Sequence, residues 1–378
     1  MYAAAIERVN GRACVARFLR GSSVSAAAPR VAVAAIGKAA GSMTLGALDT
    51  LGERVQQALV ITKTGHAEVE LAQHEVVELL ESAHPVPDAR SLAAGARLLD
   101  WTQALTPDVW PLFLISGGAS SLVEHLRPGV DLQTVAALNR TGLASGWSIE
   151  RLNAERAQLS AIKGGGLTAR LQQPALALFI SDVPGDDPAV IGSGLLGPLS
   201  ADSIGKDQVN RRVVARLEDA LAAAAEVAMA HGRTVEFGAR RFCEDVHELA
   251  HDFAGTLRGS AAEVLAWGGE SVVSLPAAPG RGGRNQHLAL LLARAMQGQT
   301  GLAVLAAGTD GTDGVTDDAG ALVDDTTWQS IELAGFDAET ALARADTALA
   351  LEAVGALLHT GPTGTNVGDL LLGIRYDC

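Results

Sequence analysis

A short apolar run that ends at glycine beside a polar residue recurs along this chain, and no other feature limits the fold as strongly. These strand-and-turn units begin at Val31, Leu112, Leu178, Val264, Val304 and Leu357. A parallel sheet binds its ligand at the carboxyl ends of its strands. Glycine at such an end lets backbone N–H groups approach an anion with no Cβ in the way. The repeated pattern therefore predicts a parallel α/β enzyme that handles phosphate.

Composition and charge exclude several classes of protein. The 378 residues are enough for two or three domains, and a hydrophobic share of 48% indicates a globular chain. A net charge of −14 opposes nonspecific binding to nucleic acid and to anionic membranes. An anionic substrate must then be bound by local basic residues. Four of these lie in glycine turns, namely Lys38, Lys163, Arg281 and Arg284.

The cysteines and the chain's first residues indicate a cytoplasmic protein. Cys14, Cys243 and Cys378 are far apart and no C-x-x-C motif occurs, so neither a disulfide framework nor a zinc site is expected. A reducing cytoplasm fits this pattern. The N-terminus lacks the basic and apolar segments of a signal peptide. No window approaches the roughly 18 apolar residues that span a membrane.

Alternating strands and helices predict right-handed βαβ units. The first series has strands at 31–36, 55–62, 75–81, 112–115 and 175–180. Helices are expected at 2–20, after residue 38, at 89–104, at 119–126, within 132–171, where Ser148 is an N-cap, and at 207–230. The long helix ends at His231-Gly232, which places a domain boundary there: 1–232 and 233–378. A second series has strands near 234–237, 263–267, 271–275, 302–306 and 354–359, followed by a helix at 369–375.

Two lysine-bearing turns have functional and structural interpretations. Gly37-Lys38 follows a strand and opens a helix, so a helix N-terminus and an ammonium group would both face an anion. The alternative is a surface lysine in a structural turn. This is not a P-loop, because G-x-x-x-x-G-K-[ST] is absent. Lys163 with its following glycines is either a flexible anion clamp or a helix C-cap.

Small residues form a third turn, from Ser116 to Ser121. The amides of Gly117 and Gly118 would cradle phosphate oxygens, and Ser120 or Ser121 would add hydroxyl groups. The alternative is a tightly packed helix N-cap. A nucleophilic serine is not expected, because G-x-S-x-G is absent and no His/Asp pair accompanies it.

Two arginines occupy a glycine loop that enters the helix predicted at 287–296. Arg281 and Arg284 there suit bidentate binding of a carboxylate or phosphate. The alternative is a flexible surface loop.

Acidic residues and one asparagine lie in the turns that follow the remaining strands. Asp310, Asp313, Asp317 and Asp318 would hold Mg²⁺ through water, or one would act as a general base. The alternative is a solvated turn. Asp182 has the same interpretations. The turn 361–366, which ends in Asn366, would bind phosphate or hydroxyl groups, and His84 is expected to be structural.

Taken in order, these turns resemble the glycerate kinase family that carries a C-terminal MOFRL domain. The resemblance covers about residues 31–370. It rests on Gly37-Lys-Ala-Ala, Thr62-Lys-Thr-Gly-His, His84-Pro-Val-Pro-Asp, Ile115-Ser-Gly-Gly, Leu159-Ser-Ala-Ile-Lys-Gly-Gly, Ile180-Ser-Asp-Val, Gly268-Gly-Glu, Gly280-Arg-Gly-Gly-Arg-Asn, Gly308-Thr-Asp-Gly-Thr-Asp-Gly and Gly361-Pro-Thr-Gly-Thr-Asn. Two segments depart from the family pattern. Leu195-Leu-Gly-Pro-Leu replaces a Pro-Thr turn, and the last motif continues Asn366-Val-Gly-Asp where a second asparagine is common.

The resemblance implies ATP-dependent phosphorylation of D-glycerate, usually at the 2-hydroxyl, with Mg²⁺. It implies an α/β fold of two Rossmann-like domains, each a mostly parallel sheet flanked by helices, with the active site in the cleft between them. The family's functional positions fall on Lys38, Glu270, Arg284, Asp310 and Asn366.

These expectations assign a role to each candidate residue. Lys38, Arg284 and Asp310 are catalytic, Glu270, Asn366 and Arg281 bind substrate, and Asp182 and Asp310 bind the metal. Nucleotide phosphates are held by Ser116, Gly117, Gly118, Ser120 and Lys163. Arg284 would hold either the glycerate carboxylate or the transferring phosphoryl group. The expected partners are glycerate, ATP and a second copy of the chain, with no nucleic acid and no membrane.

Two other functions stay open from the sequence. Relatives of the family have been labelled hydroxypyruvate reductases, which require NAD(P)H. Against this, no G-x-G-x-x-G follows the first strand with an acidic residue about 20 positions on. A non-catalytic sensor of sugar acids or nucleotides is the second alternative, because fold alone does not establish catalysis.

Overall fold

The computed structural model describes residues 1–22, 29–145, 149–199 and 207–376. Its contacts group the chain into two compact units. The N-terminal unit comprises Val9–Arg216 with Gly364–Asn366, and the C-terminal unit comprises Met1–Arg8, Leu217–Thr363 and Val367–Cys378. The expected domains 1–232 and 233–378 stay a prediction about folding units. Grouping by contacts assigns residues 217–232 to the C-terminal unit.

A six-stranded parallel sheet forms the centre of the N-terminal unit. Its strand order is β3-β2-β1-β4-β5-β6. The strands are β1 (Val31–Ile36), β2 (Val55–Lys63), β3 (Val77–Ser82), β4 (Trp110–Ile115), β5 (Ala175–Ile180) and β6 (Val209–Ala215). Every residue of β1 and of β5 is buried. Such continuous apolar strands are typical of a parallel sheet covered on both faces.

Helices of the N-terminal unit follow most of these strands. They are α2 (Gly11–Gly21), α3 (Ala40–Leu51), α4 (Ala89–Gln103), α5 (Ala119–Leu122), α6 (Leu132–Ala144) and α7 (Ile149–Leu159). Helix α1 (Tyr2–Val9) precedes them, and its residues up to Arg8 belong to the C-terminal unit. The predicted helix 2–20 is thus two helices. The second begins at Gly11, and the side chain of its N-cap residue Asn10 accepts a hydrogen bond from Ala13 N. Asp88 and Ser91 form a capping box at the start of α4.

The C-terminal unit has a mixed six-stranded sheet in the order β11-β10-β9-β12-β8-β7. Its strands are β7 (Val235–Phe237), β8 (Val264–Gly269), β9 (Leu302–Gly308), β10 (Gly320–Asp324), β11 (Leu357–Leu358) and β12 (Asp369–Arg375). Strands β7, β8, β9 and β11 share one direction. Strand β12 runs the opposite way between β8 and β9, and β10 runs the opposite way beside β9. The α/β class is confirmed, although antiparallel pairing predominates in this sheet.

The helix predicted at 369–375 is wrong. That segment is β12, which pairs with both β8 and β9 in the middle of the sheet. Its first five residues are buried. A short apolar run has the same appearance in a buried strand and in a buried helix, so periodicity alone does not separate them.

Helices of the C-terminal unit pack on this sheet. They are α8 (Leu217–Ala230), α9 (Val246–Gly259), α10 (Arg284–Ala295), α11 (Thr327–Leu333), α12 (Ala338–Ala343) and α13 (Thr347–Glu352). Helix α10 is buried from Asn285 to Ala293. In the described part of the chain, no helix has both the length and the apolar character needed to cross a membrane.

Several predicted boundaries are wrong as well. The helix expected at 207–230 begins with strand β6, and only Leu217–Ala230 is helical. The helix expected at 119–126 ends at Leu122, and 271–275 contains only an isolated bridge at Val272. Strand β10 was not predicted. The expected N-cap Ser148 lies outside the described residues. These errors concern short or edge segments, where local pattern is weakest.

Gly269 tests the close packing at the end of β8. A Cβ there would lie 2.1 Å from the backbone oxygen of Phe242, so Gly269→Ala forces the segment at Phe242 away from the end of β8. We expect it to lower the free energy of unfolding by about 1–3 kcal/mol, measured by urea denaturation. Gly255→Ala, on α9, is the control. Its Cβ meets nothing within 4 Å, and it should stabilise by about 0.5–1 kcal/mol. Equal effects of both substitutions would contradict the packing argument.

Candidate active site

The turns after β1 and β4 lie together in the N-terminal unit. Ile36 and Ile115, the last residues of these paired strands, are level in register. Beyond them, Lys38 N donates to the backbone oxygen of Gly117 over 2.9 Å, and Ala39 N donates to Ser116 Oγ over 3.0 Å. Ser116 thus bonds to the backbone at the start of the helix after β1. Its hydroxyl is one of the predicted phosphate contacts, and in this structure it supports the turn that carries Lys38.

Gly117 lies where three chain segments meet. A Cβ there would be 2.0 Å from Asp182 Oδ2 and 2.0 Å from Asn366 Nδ2. Asp182 follows β5, and its Oδ2 accepts a hydrogen bond from Asn366 Nδ2 over 3.0 Å. Only glycine at 117 allows this approach. The structure therefore brings together Lys38, Gly117, Asp182 and Asn366, all four of them predicted site residues.

Asn366 reaches this cluster although it is far along the chain. Residues Gly364–Asn366 pack with the N-terminal unit. Gly11 N donates to the backbone oxygen of Gly364 over 2.9 Å, and Thr365 Oγ1 donates to the backbone oxygen of Val9 over 2.7 Å. These two bonds hold the segment against the start of α2. Asn366 itself is buried.

Gly118 joins the cluster to a cavity. Its φ of +84° is in the left-handed region that favours glycine. A Cβ there would lie 3.1 Å from His84 Cδ2 and 3.3 Å from Lys38 Cγ. Gly118 also lines a cavity of about 170 Å³, together with His84, Pro85, Pro87, Ser120, Ser121, Glu124, Val135, Arg156 and Lys163. One loop therefore contacts both Lys38 and the cavity.

Lys163 is a buried member of an ion pair. Its Nζ lies 2.5 Å from Glu124 Oε2, and both side chains are 3% exposed. Burial lowers the pKa of Lys163, and the charge of Glu124 opposes this shift. The expected flexible clamp on nucleotide phosphates does not match this position, because the ammonium group already has a carboxylate partner. Sequence reasoning did not predict Glu124. Ser120, which also lines the cavity, is hydrogen-bonded to Ser193, and their Oγ atoms lie 2.7 Å apart.

In the C-terminal unit, Arg284 is held by two carboxylates. Its Nε and Nη2 donate to Asp369 Oδ2 and Oδ1 over 2.6 and 3.1 Å, and its Nη1 donates to Glu270 Oε1 over 2.5 Å. Arg284 is the first residue of α10 and Asp369 the first residue of β12. Asp369 was not predicted as a site residue. Its signal in the sequence is the acidic ending of Asn366-Val-Gly-Asp.

Asp313 bonds to the first turn of α10. Its Oδ1 accepts from Asn285 N over 3.1 Å, and its Oδ2 accepts from Gln286 N over 2.8 Å. Burial raises the pKa of Asp313 to about 7, although these two N–H groups favour the charged form. The Asp313 carboxylate therefore caps the helix that positions Arg284. This is a structural role for one residue of the predicted acidic loop.

Asp310 follows β9 and is buried. Its Oδ1 accepts from Thr312 N over 3.0 Å. The Tyr2 hydroxyl donates to the backbone oxygen of Gly308 over 2.6 Å. Burial raises the pKa of Tyr2, and the negative charges of Asp310 and Asp369 raise it further. Tyr2, from the first helix, is thus a neighbour of this acidic group that the sequence did not indicate.

Arg281 has different partners from Arg284. Its side chain is exposed and lies 3.7 Å from Glu352, and its backbone N donates to Asp346 Oδ1 over 2.8 Å. The expected pair of arginines therefore contacts separate carboxylates. No group of three or more His, Cys, Asp or Glu side chains suited to a metal ion occurs among residues 1–22, 29–145, 149–199 and 207–376.

Comparison with known proteins shows the family. Residues 1–229 match the family described as a domain of unknown function, DUF4147, and residues 263–369 match the MOFRL family. A D-glycerate 2-kinase from Thermotoga maritima is 36% identical over 91% of this chain and 90% of its own length. The chain belongs to the glycerate kinase family that carries a C-terminal MOFRL domain. The resemblance stated from the motifs is confirmed.

Two further comparisons concern members of this family. A crystal structure of a glycerate kinase from Thermotoga maritima matches with a TM-score of 0.83 and 33% identity, over 98% of this chain and 97% of that one. A relative from Agrobacterium vitis is 37% identical over 90% of this chain and 98% of its own length. Its name provisionally assigns it as a hydroxypyruvate reductase. Names within the family therefore cover two different reactions.

The raised pKa of Asp313 predicts a pH dependence of stability. Between the carboxyl's unfolded pKa, about 4, and its folded pKa, about 7, the folded protein binds the extra proton. The stabilisation from Asp313 is thus complete below pH 4 and is lost as the pH rises to 7. We expect the free energy of unfolding to fall by up to about 1.4 kcal/mol per pH unit from this group. Urea denaturation across pH 4–8 measures it.

Two variants isolate this effect. Asp313→Asn should flatten the pH dependence between pH 4 and 7, whatever its effect on absolute stability. Asp317→Asn, an exposed carboxyl in the same loop, should leave the slope as in the unaltered protein. An unchanged slope in Asp313→Asn would show that Asp313 does not titrate in this range.

Proposed function

We propose that this chain transfers the γ-phosphoryl group of ATP to the 2-hydroxyl of D-glycerate, forming 2-phosphoglycerate and ADP. The observation that carries the proposal is the cluster of Lys38, Gly117, Asp182 and Asn366 at the carboxyl ends of β1, β4 and β5. Ligands bind at this edge in parallel α/β sheets. The choice of glycerate as the acceptor is supported by relatives in the same family that are named glycerate 2-kinases.

The proposed reaction is a direct transfer. The acceptor oxygen forms a bond to the γ-phosphorus while the bond from that phosphorus to the β,γ-bridging oxygen breaks, and ADP leaves. The hydroxyl proton passes to a carboxylate, Asp182 or Asp310. Phosphoryl transfer requires mainly positioning and charge neutralisation. Lys38 supplies a positive charge for the phosphoryl oxygens, and the amides of Gly117 and Gly118 hold nucleotide phosphates.

Asp182 suits a metal-bound nucleotide. Mg²⁺ prefers oxygen ligands and is commonly held by one or two carboxylates together with substrate phosphates and water. A single carboxylate beside phosphate-binding amides is therefore a sufficient protein contribution. Bound Mg²⁺ neutralises charge on the phosphates. The hydrogen bond from Asn366 fixes the orientation of the Asp182 carboxylate, and Asp310 is the second carboxylate with which Asp182 divides the roles of base and metal ligand.

Arg284 is proposed to contact the transferring phosphoryl group. The bonds to Asp369 and Glu270 use three of its five N–H donors and fix the plane of the guanidinium group. The remaining donors are thereby presented in one orientation, which favours bidentate contact with phosphate. Glu270 and Asn366 are proposed to orient substrate hydroxyls. Arg281 is assigned a weaker, peripheral contact, because it is exposed.

Lys38→Ala tests the charge at the end of β1. We expect kcat for glycerate-dependent ADP release to fall by about 10²–10³, the usual cost of losing a contact to transition-state charge. Arg30→Ala is the control. Arg30 directly precedes β1, at the end of that strand remote from Lys38, and pairs with Asp108 on the surface. Its turnover should match that of the unaltered enzyme. Near-normal turnover in Lys38→Ala would remove Lys38 from the reaction.

A second pair of variants tests Arg284 within one helix. Arg284→Ala should lower kcat by about 10²–10³ for the same electrostatic reason. Arg294→Ala removes a guanidinium ten residues further along α10, where it is exposed and pairs with Glu339, and should leave kcat unchanged. Steady-state assays of ADP release measure both. Equal rates in the two variants would mean that Arg284 has only a structural role.

Because the Agrobacterium relative is named as a hydroxypyruvate reductase, kinase and reductase activities are compared on the same purified protein. Purified protein is assayed for ADP release from Mg·ATP with D-glycerate and with L-glycerate, and for NADH oxidation with hydroxypyruvate. ADP release that depends on D-glycerate supports the proposal, and NMR of the product distinguishes 2- from 3-phosphate. NADH oxidation without ADP release would favour the reductase. Ligand binding without either reaction would favour a sensor.

A further inference from the structure

The cavity beside Gly118 has a basic lining in an acidic chain. Among the described residues that line it, Lys163 and Arg156 carry positive charge and Glu124 carries negative charge. The lining is therefore net positive, whereas the whole chain has a net charge of −14. A cavity of this charge favours an anion with a single negative charge.

Glu124, the one carboxylate among the described lining residues, forms an ion pair with Lys163. Glu124 Oε2 lies 2.5 Å from Lys163 Nζ, and Glu124 Oε1 accepts a hydrogen bond from His125 N over 3.0 Å. Arg156 is half-buried, and burial lowers its pKa against the opposing effect of Glu124. Guanidinium is the side chain best suited to bidentate contact with a carboxylate.

The size of the cavity limits its occupant. Its volume of about 170 Å³ is below the roughly 300–1,000 Å³ of sites that bind drug-sized ligands. A nucleotide is too large for it, whereas a three-carbon hydroxy acid is of suitable size. The lining also offers the Ser120 and Ser121 hydroxyls and the His84 ring. These side chains are capable of hydrogen bonds to the polar groups of an acid.

The position of the cavity connects it to the phosphoryl-transfer cluster. Gly118 lines the cavity and, at the same time, a Cβ on it would lie 3.3 Å from Lys38 Cγ. The preceding residue, Gly117, accepts the hydrogen bond from Lys38 N. An acid bound by Arg156 would thus have its other end next to the loop that contacts Lys38.

We propose that this cavity is the acceptor subsite, where Arg156 binds the carboxylate of a small 2-hydroxy acid. The inference rests on the proposed function for the identity of the acid, D-glycerate. It assigns the acceptor's carboxylate to Arg156 rather than to Arg284, and it gives Lys163 the role of holding Glu124 in the cavity wall.

Calorimetric titration without ATP tests the subsite apart from catalysis. The unaltered protein should bind D-glycerate and should show no measurable binding of glycerol, which lacks the carboxylate. Arg156→Gln should weaken D-glycerate binding by about tenfold or more, because hydrogen bonds to charged groups are the strong ones. Arg151→Gln is the matched control. It changes an exposed arginine on the same helix, α7, and should bind within twofold of the unaltered protein.

Steady-state kinetics separate the subsite from the nucleotide site. In Arg156→Gln, KM for D-glycerate should rise by about tenfold or more while KM for ATP stays unchanged. A rise in KM for ATP alone, or unchanged D-glycerate binding, would overturn the proposal. If the unaltered protein binds D-glycerate through Arg156 but releases no ADP, the kinase proposal fails and the subsite stands. Normal kinetics in Arg156→Gln would leave the kinase and remove the subsite.

A measurement on the unaltered protein covers the case in which Arg156→Gln does not fold. D-Glycerate should slow hydrogen exchange in the segments 120–124 and 156–163, which contain five of the lining residues. Glycerol at the same concentration should not. Absence of slowing with D-glycerate in both segments would overturn the proposal.

Discussion

Parallel pairing of β1 with β4, and of β4 with β5, determines where the chemistry of the N-terminal unit lies. Ile36, Ile115 and Phe179 are level across these strands, so the residues that follow each strand emerge at one edge of the sheet. Each strand is buried throughout this region and needs only apolar side chains. Polar and flexible residues are thereby restricted to the turns, where backbone N–H groups are available to a ligand.

Close packing in these turns depends on glycine, which has no side chain. Gly117 admits both Asp182 and Asn366 to within hydrogen-bonding distance of each other, since a methyl group would occupy the same space. Asn366 comes from the segment 364–366, which packs with the N-terminal unit although its neighbours on both sides belong to the C-terminal unit. One glycine therefore makes a connection between positions 117 and 366 possible.

The sequence predicted the parallel sheet and the turns well, because continuous apolar runs ending at glycine have few other interpretations. It did not predict β12, since a seven-residue apolar segment contains no clear period. It also did not predict the carboxylate partners of the charged residues. Lys163, for which an anion clamp and a helix C-cap were both open, pairs with Glu124, and Arg284 is fixed by Asp369. Spacing indicates which residues lie near a strand end, but ion pairing depends on segments that are distant in sequence.

The Lys163–Glu124 pair is informative because stability alone does not explain it. Burying two charges costs free energy that their attraction commonly does not recover, and replacing such a pair with apolar residues is often neutral or stabilising by about 1–4 kcal/mol. Both side chains are nevertheless 3% exposed beside a cavity. An apolar pair there would leave Arg156 as the only charge among the described lining residues. Glu124 balances part of the positive charge of the lining, so the cavity keeps one net positive charge, which suits the proposed singly charged acid.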